Sequence, residues 1–185
     1  MKYAALAITL LSGPALAGTC PEAPDHSAAL AALVADANAA QTAAEGQAIS
    51  DRMWELWTDA PDETAQAILT AGMTRRQSFD LLGARAEFDR LVDYCPDYAE
   101  GYNQRAFVNY LRFDYEAAVA DLDRALELSP GHVAALSGKA LTLMALNRFE
   151  EARVVLQAAL ALNPWIPERG LAAPGGPLEP VGEDI

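Results

Sequence analysis

Residues 114–130 read DYEAAVADLDRALELSP. Thirty-four residues later, 148–164 read RFEEARVVLQAALALNP, and thirty-four earlier, 80–96 read DLLGARAEFDRLVDYCP. One helix is written three times. Within the quoted copy, Ala118, Leu122 and Ala125 fall at i, i+4 and i+7, a single stripe that Val119 and Leu126 widen. Proline closes each copy because it has no amide hydrogen to donate and clashes with the preceding turn.

Counting each repeat from 65, 99 and 133 extends the match. Position 8 is small: Gly72, Ala106 and Ala140. Position 20 is Ala84, Ala118 and Ala152, position 24 is Phe88, Leu122 and Leu156, and position 32 is Pro96, Pro130 and Pro164. Small residues suit the places where two helices approach most closely, and bulky ones fill the space between. The first copy departs at position 27, where Leu91 replaces the Ala125 and Ala159 of the others, and at position 11, where Arg75 sits. Looser packing is expected there.

The period and this pattern resemble the tetratricopeptide repeat, a helix–turn–helix unit that stacks into a solenoid. The resemblance covers 65–166 and implies an all-α, right-handed α-solenoid with repeats at 65–98, 99–132 and 133–166. Residues 18–64 are expected to form a leader and an N-terminal helical cap, with helices over 27–44 and 46–59. A degenerate repeat from 31 is the alternative, although it puts Trp57 where alanine is usual. ISDRMWELW (49–57) resembles a segment that precedes the repeats in some short bacterial members without an assigned reaction. The tail, 167–185, is rich in proline and glycine, ends acidic, and reads as flexible. No capping helix follows the last repeat. Either Trp165 and Ile166 fold back over it, or a second chain covers it.

MKYAALAITLLSGPALA (1–17) has one lysine, an uncharged run and Ala-Leu-Ala before Gly18, the layout of a cleaved secretory signal. Thr19 separates Cys20 from the small residue a lipoprotein signal would need. The expected product is exported and periplasmic in a Gram-negative bacterium, with no stable membrane insertion after cleavage. Its net charge of −13, or −14 without Lys2, repels phosphate backbones and anionic lipid, so nucleic acid is not an expected partner.

No catalytic constellation can be written, and the chain reads as a non-enzyme without cofactor or metal. His26 and His132 have no ligand-spaced neighbours and read as surface residues. Asp121, Asp123 and Glu127 flank Arg124 and read as a solvated outer face, lacking the burial that raises a catalytic carboxyl pKa. Cys20 and Cys95, an even pair in an exported protein, fit one disulfide; two free thiols are the alternative.

The resemblance puts any binding surface on the first helix of each repeat. It implies a groove of Met73, Arg76, Asn103, Phe107, Tyr110, Leu141 and Met144, with Glu100 and Ser137 beside them. Asn103 would hold a ligand backbone through both ends of its amide. The expected function is a scaffold for a protein or peptide partner, in envelope assembly or quality control. The alternatives are a homo-oligomer stacked end to end, or a non-catalytic subunit of an envelope enzyme.

Overall fold

The computed structural model describes residues 19–180; the signal reading at 1–17 and the last five residues of the tail lie outside the described residues. Among those described, eight α-helices follow one another without a strand. They are α1 (Ser27–Ala39), α2 (Ala43–Trp57), α3 (Glu63–Gln77), α4 (Leu81–Tyr94), α5 (Ala99–Leu111), α6 (Tyr115–Leu128), α7 (Val133–Ala145) and α8 (Phe149–Leu162). A short 3₁₀ helix, Pro167–Ala172, closes the chain. The three repeats are α3–α4, α5–α6 and α7–α8.

The small residues sit where the helices touch. Ala84, Ala118 and Ala152 are fully buried, as are Phe88 and Leu156. A Cβ on Gly72 would lie 2.4 Å from the Phe88 ring, so α3 and α4 meet at that glycine. The expected looseness around Leu91 is absent. Leu91 is fully buried, and its side chain lies 3.3 Å from where a Cβ on Gly101 of α5 would be. The bulk added at α4 is matched by bulk removed from the next helix. Arg75 projects outward to Asp80 at 2.8 Å and Glu87 at 3.5 Å.

Each repeat turns between its helices in the same way. Phe79, Phe113 and Asn147 occupy position 15 and have φ of 60°, 64° and 60°. The following amides return five residues, from Asp80 to Arg75, from Asp114 to Asn109 and from Arg148 to Leu143, at 2.9–3.0 Å. This is the Schellman closure, whose left-handed residue is usually glycine. Two of the three repeats place an exposed phenylalanine there, at 81% and 78% exposure.

The N-terminal hairpin forms its two helices but does not cap the array's N-terminal end. Leu33 and Ala37 of α1 and Met53 of α2 share a core with Leu136, Leu143 and Leu156 of the third repeat. Asn38 donates to the carbonyls of Ala161 and Leu162, both at 3.3 Å, and fastens α1 along the end of α8. The chain then returns as α2, started by a Thr42–Glu45 capping box. A bond between Cys20 and Cys95, Cα atoms 5.1 Å apart, ties the leader to the turn after α4. Closing that 75-residue separation contributes about 4 kcal/mol on the chain-entropy account.

The tail packs back on the array as far as Leu178, where the composition suggests loose chain. Trp165 seats on Gly46 of α2, where a Cβ would lie 2.2 Å from its ring, and its indole N–H donates to Ala37 O at 3.0 Å. Ile166 and Leu178 enter the same core as the hairpin. Trp165 and Ile166 do fold back, and α1 shares the work of covering α8. The end face that end-to-end stacking would use is therefore covered within the chain.

The turn geometry gives the first test. Phe79→Gly is expected to stabilise the protein by about 1 kcal/mol in urea unfolding, because an L side chain at this φ is strained and the ring is exposed. A loss of stability would show that the ring packs in solution.

Candidate interaction cleft

A polar cluster is buried between the helices. Glu100, in the first turn of α5, is 1% exposed, and His132, the N-cap of α7, is 0% exposed. His132 Nε2 donates to Glu100 at 2.8 Å, while its Nδ1 accepts the Ala135 N–H at 3.3 Å. Because that amide can only donate, the ring's proton is assigned to Nε2. Asn103 and Gln104 also donate to Glu100, and Arg76 of α3 donates to the Gln104 oxygen. The ring of Trp57 lies flat on His132, centroids 4.2 Å apart. Tyr98 donates from its hydroxyl to Trp57 O at 2.7 Å, and burial, reinforced by the Glu100 and Asp59 charges, pushes its ionisation far up. One cluster thus joins α2, α3, α5 and α7.

This corrects the surface reading of His132 and removes Glu100 from any open groove. It also narrows the role expected of Asn103, one of whose amide N–H groups is committed to Glu100. His26 is half-buried and meets Asp59 at 2.8 Å. Asp121 is not on a solvated face either: it is buried and accepts from Arg105 at 2.6 and 3.0 Å and from Asn109 at 3.0 Å. Asp123 and Glu127 do lie outward, paired with Lys139 and Arg124.

With its end on His132, α2 lies across the first helices of the second and third repeats. The groove becomes a cleft of about 420 Å³ between α2 and those helices. Five of the seven candidates line it: Arg76, Asn103, Phe107, Tyr110 and Leu141. Met73 packs instead on the first-repeat core, and Met144 on the core shared with the hairpin. The opposite wall is Met53, Trp54 and Trp57. The segment expected as an end cap thus supplies this wall; the spacing of Met53 and Trp57 signals a buried face without saying against what.

Arg76 rests on the Phe107 ring, guanidinium carbon 4.7 Å from its centroid. Burial lowers its pKa and the Glu100 charge partly offsets this. Among the described residues, no group of three or more acidic, histidine or cysteine side chains could hold a metal ion, and no helix is long and apolar enough to cross a membrane.

Comparison with known proteins agrees with this architecture. Residues 110–164 match the family model described as tetratricopeptide repeat. No curated protein sequence matches the chain. Among solved structures, the TPR2B domain of yeast Sti1, in a complex with pHsp70, is similar at 25% identity and a TM-score of 0.54, over 55% of this chain and 81% of that one. The first TPR of Spaghetti, bound to the HSP90 peptide SRMEEVD, is similar at 21% identity and a TM-score of 0.53, over 54% and 79%. A mutant O-GlcNAc transferase of Thermobaculum terrenum is similar at 26% identity and a TM-score of 0.53; this chain covers 19% of it and 55% of itself. Residues 110–164 thus carry the tetratricopeptide-repeat pattern, and the helical array as a whole is similar in fold to these domains.

His132→Ala is expected to destabilise the fold by about 2–3 kcal/mol, because it strands a buried carboxyl group and removes the α7 cap. Adding Glu100→Gln should recover part of the loss in urea unfolding. Additive losses would contradict the coupling.

Proposed function

We propose that this chain is an exported protein-binding module that receives apolar side chains of a partner at the mouth of the cleft. The observation that carries the reading is the exposure of Phe107, at 46%, and Trp54, at 36%, on the border of an otherwise apolar cleft. Exposed aromatics at the edge of a preformed cavity are the residues that anchor partners. The similar Sti1 domain, in its complex with pHsp70, supports a protein or peptide partner. Recognition rests on side chains more than on backbone, because Gln104 and one N–H of Asn103 are already engaged inside the protein.

The periplasmic placement in a Gram-negative bacterium rests on the composition of residues 1–17. The Cys20–Cys95 bond supports it, since such bonds persist in oxidising compartments. Envelope assembly or quality control is the process we assign to it. The protein makes and breaks no bond in this reading.

The test is affinity capture from the native envelope fraction with the wild type and with Phe107→Ala. A partner held by the wild type should bind the variant about thirtyfold more weakly, the size of an anchor's loss. Equal retention by both would overturn the reading.

A further inference from the structure

The inside of the cleft differs chemically from its mouth. Its volume, about 420 Å³, is that of a small-molecule site. Most polar side chains along it are already engaged. Asn103 and Gln104 are held by Glu100, Asn163 donates to Ser50 and accepts from the Trp165 amide, and Thr142 donates to Gly138 O. Apart from the Asn103 oxygen, the Trp57 N–H and Arg76, little is left inside to meet the run of amides that a peptide backbone would bring.

One cation remains. Arg76 is the cationic side chain lining the cleft, and it forms no ion pair among the described residues, in a chain where most arginines do. One of its N–H groups donates to Gln104, and its face lies on Phe107. The rest of its fork is unspent, and a planar fork of donors matches a carboxylate. The indole N–H of Trp57, on the facing wall, is buried and also without a partner. The acidic groups on the cleft are Asp51, exposed and bonded to Gln47, and Glu168 of the tail. Both disfavour an anionic head near them; Glu100 lies behind Gln104, buried and bonded to His132, so the unspent donors of Arg76 are the place for one.

We propose that the cleft holds a small amphipathic carboxylic acid, its carboxylate on Arg76 and its apolar body along Trp54, Tyr110 and Leu141. This goes beyond the partner reading, which concerns the mouth.

Decanoate, kept below micelle formation, is the probe, with decanamide as its uncharged match and an acetylated Leu-Phe dipeptide with a free carboxyl end as the chain-end alternative. Binding is read by calorimetry and by tryptophan emission. Decanoate should saturate one site and bind at least tenfold more tightly than decanamide. Arg76→Gln should abolish that preference, and Arg76→Lys should keep part of it. Should Arg76→Gln fail to fold, Leu141→Trp fills the cleft without touching Arg76 and should abolish binding of both ligands. The proposal is overturned if decanoate does not saturate, if decanamide binds equally, if Arg76→Gln keeps the preference, or if only the dipeptide binds. Loss of decanoate binding beside retained partner capture removes this inference alone; the reverse removes the partner reading alone.

Discussion

A carboxyl group at 1% exposure cannot sit between helices unless its oxygens are met, and Glu100 is met from three sides. That requirement organises the molecule. The first turn of α5 must face the cap of α7, the cap must be a histidine turned to donate from Nε2, and Arg76 must come in from α3 behind Gln104. Trp57 then roofs the histidine. Replacing these groups by apolar ones could cost little in stability, as buried ionic clusters often show. We therefore read the cluster as a register device: it fixes where α2 crosses the array.

The crossing has a functional consequence. An open array would offer its partners a continuous strip of first helices. Here α2 lies over part of that strip, held at one end by Trp57 on His132 and at the other by Gly46 under Trp165. The leader before the hairpin is tied by Cys20 to the turn after α4, so both approaches to the hairpin are fixed. What remains of the strip is a short cleft with aromatic walls and a single cation.

The repeats were legible because their signal is periodic. Ala84, Ala118 and Ala152 repeat at fixed spacing for reasons of helix contact, and Leu91 breaks the pattern only because its compensation, Gly101, lies on the next helix. The position of the hairpin was not legible. The stripe of Met53 and Trp57 says that a face is buried but not against what. His132 and Glu100 are 32 residues apart with no local pattern between them, so a buried pair read as two surface residues. Phe79 and Phe113 gave no hint of their left-handed backbone, because the residue type argues against it. In the tail, proline and glycine mark irregular backbone, and composition does not say that Leu178 reaches the core.

The central claim is that α2 is part of the array's core and not a separate cap. Hydrogen exchange of the native protein, resolved by residue, tests it most directly. The amides of 46–57 should be protected to the same degree as those of α7, and His132→Ala should speed exchange in α2 more than in α4. Fast exchange across α2 in the wild type, beside slow exchange in α7, would contradict the account.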